Sequence, residues 1–555
     1  MRFPKFFKHP TIKAIFSRRL SRYGILAASL FFALSLLPTM VPRSVFVQAV
    51  GSGLAITLGY ALGVFSRWII YYLDIPFKKH LTGRAVRMIT AIIVTLVLLS
   101  SLWQFVSWQN ELRNMFGIDL ITPPFLVPVI LLAIILFLIL LVVGRIIREI
   151  YKSLVTLLDR YLSRRLSVVL GLAFASILVF FTINGVIIRG IFDAANESFS
   201  YSNAIIDPTL QRPELKETSG SPESLVSWES LGRNGRMFVT SGPTPAEISD
   251  ATKLPSRQPI RAYVGLDSKN TLQERSSLLL DELKRAGAFE RKSLLITTSV
   301  GDGWLDSQAV DPFEYVNNGD TAIAGLQYSY LPSALSLFAD AEDVKLSSQK
   351  VFSDIYKHWL TLPEDNRPQI YLYGLSLGSY GVEEVLNSVE LFNAPIQGAL
   401  LAGPPFINDF HRDIVTNRNP DSPVWQPVIN TGKTVRFTGR ENALNVPNSE
   451  WGNTRIVYMQ HATDPIVWFS GNLFYKTPEW LKEGQRGPGI SDDFVWVPIV
   501  TAYQIGLDMI LSFNYPAGYA HNYAPSSHVD SWAAITRPDG WSTQRADAIK
   551  AKFKN

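Results

Sequence analysis

Gly374-Leu375-Ser376-Leu377-Gly378 is the short run whose residue types and spacing point most directly to chemistry. An apolar, β-favouring stretch, Ile370 to Tyr373, ends on it, and Tyr380 to Leu391 reads as a helix. A strand, a sharp turn and a helix in that order hold a serine hydroxyl clear of the backbone. Side chains at the flanking positions would collide there, so Gly374 and Gly378 are glycine for want of room. The following helix aims its N-terminus at the turn, where developing negative charge is favoured. Ser376 is therefore the candidate nucleophile, and the N–H of Leu377 the candidate oxyanion donor.

A serine hydroxyl attacks poorly until a base removes its proton, and that base needs a carboxylate to fix its tautomer. Behind an elbow of this kind, the acid and then the histidine follow along the chain. Two histidines lie in the C-terminal stretch, His521 and His528. His521 is favoured because Ala517-Gly518-Tyr519-Ala520-His521-Asn522-Tyr523 reads as a glycine-containing loop before a helix from Asp530. His411 and His461 precede or abut the acid candidate, and His358 precedes the serine. For the acid, Asp464 follows the strand-like run Arg455–Gln460 and is backed by Pro465. An aspartate before proline is also an ordinary turn cap, and Asp409, Asp492 and Asp493 stay open. A second oxyanion N–H is expected from Val300-Gly301, with Gly265-Leu266 as the alternative.

The elements that must hold these groups alternate between short apolar strands and helices. Ile260–Gly265, Leu294–Thr298, Thr321–Tyr328, Gly398–Ala402, Thr434–Thr438 and Arg455–Gln460 read as strands, and Thr271–Gly287 and Ser347–Leu362 as helices. That alternation predicts a mostly parallel sheet covered on both faces, with reactive groups at the carboxyl ends of its strands. Trp468, Phe469, Phe474, Tyr475, Trp480, Phe494 and Trp496 crowd the interval between acid and histidine, enough to wall an apolar, acyl-sized pocket.

The N-terminal third has a different composition. Residues 1–190 hold 21 Lys or Arg against 5 Asp or Glu, in a chain whose totals are 52 and 47. Five apolar segments are expected to cross a membrane: Tyr23–Val41, Val45–Phe65, Met88–Trp108, Phe125–Val143 and Leu166–Ile188. The tail (Arg2, Lys5, Lys8, Lys13, Arg18, Arg19, Arg22) and alternate loops (Arg67 to Arg87, Arg145 to Arg165) are basic. The positive-inside rule puts them in the cytoplasm and everything after Ile188 outside the inner (plasma) membrane. Basic charge set between apolar runs suits membrane topology and not a nucleic-acid partner. The absence of cysteine rules out thiol chemistry, and no metal or nucleotide signature is present, so no cofactor is expected. The expected organisation is a transmembrane helical bundle over 1–192, an extracytoplasmic connector over 193–258, and a catalytic α/β domain over 259–555.

Several stretches together resemble a bacterial family of membrane proteins of largely uncharacterised function. In that family an α/β-hydrolase domain follows its own transmembrane domain. The stretches are Ser224–Phe238, Pro259–Asp267, Gly301–Asp306, Gly319–Ser333, the elbow Gly374–Gly381, and His521-Asn522-Tyr523 followed by Val529-Asp530-Ser531-Trp532. One departure stands out: where the family suggests a Gly-His-Gly-His-like run, this chain has Gly518-Tyr519-Ala520-His521. The resemblance implies the α/β-hydrolase fold and an envelope role. With the residues above, it implies a Ser376–His521–Asp464 serine hydrolase acting on lipid or glycolipid acyl esters beside the bilayer. An acyltransferase using the same three residues, and a non-catalytic membrane scaffold, are the competing readings.

Overall fold

A computed structural model describes residues 19–74, 83–392 and 394–553. The expected cytoplasmic charges Arg2, Lys5, Lys8, Lys13, Arg18, Lys78 and Lys79 lie outside these residues. The chain divides into two compact units. One comprises 1–193 with the excursions 471–478 and 489–508; the other comprises 194–470, 479–488 and 509–555.

The first unit is helical. Among the described residues, four of its helical stretches are long and apolar enough to cross a membrane: Val45–Tyr72, Arg84–Phe116, Pro123–Leu158 and Arg164–Phe181. The five expected crossings are thereby corrected to four. The first segment gives only the 14-residue helix Arg22–Ser35, about 21 Å long at helical rise. Its apolar run continues to Val41, but Pro38 and Pro42 cannot extend a helix, so length of hydrophobic sequence overstated length of helix. The other helices err in the opposite direction and run past their apolar cores into charged flanks, because nothing there breaks them. Val45–Tyr72 packs against Arg22–Ser35 through glycines four residues apart. A Cβ on Gly59 would lie 2.6 Å from Ala27 O, and one on Gly63 would lie 2.5 Å from Tyr23 O. This is the small-residue contact by which apolar helices approach closely when no water drives them together. Phe32, Leu36 and Phe105 form the buried core beside it. The excursions bring chain from between acid and histidine into this unit: Arg43 Nε donates to Asp508 Oδ1 at 2.7 Å, and Trp108 Nε1 to Asp493 Oδ2 at 2.8 Å.

The second unit is built on seven parallel strands: β1 Ile260–Val264, β2 Ser293–Thr298, β3 Thr321–Leu326, β4 Gln369–Leu375, β5 Gly398–Ala402, β6 Val435–Thr438 and β7 Arg455–Met459. Their order across the sheet is β1-β3-β2-β4-β5-β7-β6, an α/β architecture. The strands are apolar on both faces because helices cover both. The connector is not an extended tether. It forms the helices Gly232–Thr240 and Pro245–Thr252, and residues 217–219 close the β1 edge: Ser219 N donates to Arg261 O, and Arg261 N to Glu217 O, both at 3.1 Å. Covering an edge strand removes a template for unwanted pairing. Arg236 anchors this region, fully buried, with its guanidinium donating to the carbonyls of Asn203, Ile205 and Glu229.

Candidate active site

β4 delivers Ser376 into an abrupt bend with φ 54 and ψ −125, immediately before the helix Leu377–Leu386. A serine rarely tolerates this left-handed conformation, and the neighbouring backbone has to hold it there. Ser376 N donates to Ala402 O at 2.9 Å, tying the bend to the end of β5. The two flanking glycines are glycine for want of room: a Cβ on Gly374 would meet Gly378 C at 2.2 Å, and one on Gly378 would meet Thr298 O at 2.4 Å. Leu377 opens the helix, so its N–H belongs to the first turn, which has no intrahelical acceptor.

β7 leads to Asp464, which caps the short helix Pro465–Trp468; its Oδ1 accepts from Ile466 N at 2.9 Å. The turn cap and the acid are therefore one residue using two oxygens. Asp464 Oδ2 faces His521 Nδ1 at 2.5 Å, and both side chains are wholly buried. With Nδ1–H donating to the carboxylate, the neutral ring keeps its lone pair on Nε2. That Nε2 is buried and has no hydrogen-bond partner among the described residues.

The histidine loop is held from several sides. His521 N donates to Ser512 O at 3.0 Å and Gly518 N to Asn522 O at 2.7 Å, with Gly518 at φ 92 and Ala520 at φ 48. The left-handed glycine and alanine turn the chain so that His521 points inward. Phe513 stands edge-on to the imidazole, ring centroids 4.6 Å apart.

Two further contributors carry no assigned role at the level of the sequence. Tyr523 Oη donates to Asp464 Oδ2 at 2.7 Å, and burial together with the Asp464 carboxylate holds this phenol well above its usual pKa, so it stays a donor. Gly403, at φ 54, follows β5; a Cβ there would sit 2.3 Å from His521 Cε1. The imidazole thus packs on the peptide next to Ala402, whose carbonyl accepts from Ser376 N. Serine and histidine approach the end of β5 from two sides. A glycine directly after a buried strand, in Gly403-Pro404-Pro405, was the available sequence signal for this close approach.

The other candidates fall elsewhere. Asp409 is exposed and pairs with Arg412 at 2.5 Å; Asp493 belongs to the helical unit; Asp492 is exposed, in a segment of that same unit. His528 is buried, donates Nδ1–H to Ala524 O at 3.0 Å, and burial pushes its pKa down to about 3. His461 is depressed to about 4, mainly by burial. It donates to Ala520 O at 2.7 Å and stacks on Tyr523 at 4.3 Å, which makes it a support of the loop. In the loop after β2, Val300 N donates to Trp304 O at 3.2 Å. The Val300 amide is thus engaged within its own turn, while a Cβ on Gly301 would meet Ser336 Oγ at 2.0 Å. Gly265 likewise packs tightly, its Cα 's missing Cβ facing Ser230 O at 2.0 Å.

Comparison with known families agrees with this fold. A profile described as the Alpha/beta-hydrolase family matches residues 260–549, which spans all seven strands, the elbow, Asp464 and His521. A second, described as the Alpha/beta-hydrolase family N-terminus, matches residues 36–243, covering the helical unit's long helices and the connector up to Gly232–Thr240. No curated protein and no solved structure matches the chain. Sheet, elbow and the two profile matches lead to one assignment: this chain belongs to the alpha/beta-hydrolase family.

Proposed function

We propose that the protein is a membrane-anchored serine hydrolase that cleaves acyl esters of lipids or glycolipids on the extracytoplasmic side. The observation that carries the reading is the buried Asp464–His521 pair, completed by Tyr523, with one imidazole nitrogen left without a partner on a ring that packs on Gly403, next to the Ala402 carbonyl that accepts from Ser376 N. In this scheme His521 Nε2 takes the Ser376 Oγ proton as Oγ attacks the ester carbonyl. Asp464 steadies the imidazolium that forms. The Leu377 N–H, at the positive end of its helix, stabilises the tetrahedral oxyanion. His521 then returns the proton to the departing alcohol, and water releases the acyl group from Ser376 by the reverse sequence. The extracytoplasmic side is favoured by the alternation of charge along the four long helices: Arg67 and Arg87 flank the connection between the first and second, Arg145 and Arg148 lie toward the connection between the third and fourth, and the connection between the second and third holds no Lys or Arg. A lipidic substrate is favoured by the apolar helices that share the chain with the site.

Labelling with a fluorophosphonate probe tests this directly. The full-length protein should be labelled, and Ser376→Ala and His521→Ala should not. Undiminished labelling of a folded Ser376→Ala protein would sink the assignment.

A further inference from the structure

Within the helical unit lies an open cavity of about 1390 Å³, remote in sequence from every residue of the candidate active site. Arg19, Arg22, Arg67, Arg87, Arg145 and Arg148 all line it, and no Asp or Glu does among the described residues. Positive loops suffice to orient a membrane protein without converging. Arg145 already has an interaction partner; the other five guanidinium groups around this one volume repel each other, and that arrangement becomes favourable when an anion occupies the space between them.

The walls are also built. Arg67 Cζ lies 5.4 Å from the Tyr23 ring and 5.6 Å from the Tyr71 ring, contacts that orient the guanidinium without neutralising it. Tyr60 Oη accepts from Ser21 N at 3.1 Å, and its ring fills the space that a Cβ on Gly24 would need, 2.7 Å away. Val64, Leu140 and Leu141 line the same cavity, on helices apolar enough to cross a membrane. Charge for a phosphate and hydrocarbon for its tail therefore meet in one place.

We propose that this cavity binds the phosphate headgroup of an anionic phospholipid, with the acyl chains lying along Val64, Leu140 and Leu141. Arginine suits the task because its planar fork matches phosphate oxygens two at a time. The proposal uses the membrane reading of these helices and does not depend on Ser376, so Ser376→Ala should bind lipid as the native chain does.

The test is native mass spectrometry of the detergent-purified full-length protein with added phosphatidylglycerol or phosphatidylcholine of the same acyl chains. Phosphatidylglycerol adducts should exceed phosphatidylcholine adducts by about tenfold, and Arg67→Gln/Arg148→Gln should remove most of that preference. Glycerol 3-phosphate, which lacks tails, should not displace the lipid. Should the double variant fail to fold, cross-linking of a diazirine-bearing phosphatidylglycerol to the native chain decides instead: the cross-links should map to residues 60–71 and 137–148. Equal adducts for the two lipids, displacement by glycerol 3-phosphate, an unchanged preference in a folded double variant, or cross-links confined to other helices would each overturn the proposal.

Discussion

In the helical unit, Arg43 Nε donates to Asp508 Oδ1 at 2.7 Å with both side chains out of solvent; in the α/β unit, His521 Nδ1 donates to Asp464 Oδ2 at 2.5 Å, equally buried. Arg43 does not stop at its carboxylate: its Nη2 donates to Gln504 O at 3.0 Å, while Gln504 Nε2 reaches Ser35 O at 3.1 Å. His521 is supported just as carefully on one side, through Asp464, Tyr523 and its own backbone, yet its Nε2 is left without a partner. The first pair closes a junction between chain segments. The second leaves an unused acceptor in a buried place, as the first does at Asp508 Oδ2, and each such atom costs stability. Depth, distance and an open valence do not separate the two pairs; what sets His521 apart is that its ring packs on Gly403, next to the Ala402 carbonyl that accepts from Ser376 N.

Substitutions can break that comparison, beginning with the largest effect. Asp464→Asn should lower the turnover of a fluorogenic acyl ester by roughly 10³–10⁴-fold, because the amide no longer fixes the tautomer that leaves Nε2 free. A rate within a factor of ten of the native one would mean that the pair is structural, like Arg43–Asp508. Arg43→Ala should destabilise the folded protein by about 3–5 kcal/mol by stranding a buried carboxylate. Arg43→Met/Asp508→Leu should recover most of that loss in thermal unfolding, since apolar residues can replace a structural ion pair. No apolar replacement of Asp464 and His521 should recover hydrolysis.

Smaller effects sharpen the comparison. Asp306 caps the helix Ser307–Val316, whose Gln308 Nε2 donates to Asn522 Oδ1 at 3.0 Å in the loop that carries His521. Burial raises its carboxyl pKa from 3.8 to about 7. A raised folded-state value means that the protonated form contributes stability at low pH, and the contribution is lost as pH rises through about 7. Asp306→Asn cannot ionise and keeps the cap. Its advantage over the native protein should therefore be absent near pH 4 and grow to roughly 1–3 kcal/mol above pH 7, read as melting temperature across a pH series. An advantage independent of pH would contradict the assignment. Tyr523→Phe removes one donor from Asp464 and should cost about fivefold in turnover with little change in KM, consistent with one hydrogen bond of about 1 kcal/mol.

The strands and the elbow were legible because both rest on local chemistry. Buried parallel strands write themselves as short apolar runs, and the bend at Ser376 demands glycine at 374 and 378 whatever lies further away. Asp464 was legible only as one of four aspartates, since a cap before proline and a carboxylate that also meets a histidine look alike until His521 arrives on Oδ2. Gly403 and Tyr523 had no role assigned because their meaning is a contact across the fold. The short first helix was misread for a different reason: hydropathy averages over Pro38 and Pro42, whereas helix geometry does not.

Sequence by itself determined the order of elements, the position of the serine-bearing elbow, and the division into an apolar basic third and an α/β remainder. These follow from periodicity, backbone sterics and charge, which act over a few residues. Only the tertiary structure decided which aspartate meets the imidazole, that β2 lies between β3 and β4, that residues 489–508 join the helical unit, and that six arginines surround one cavity. Each of these is a meeting of segments far apart in the chain, and contact across such distances is fixed by packing, which no local pattern of residues records.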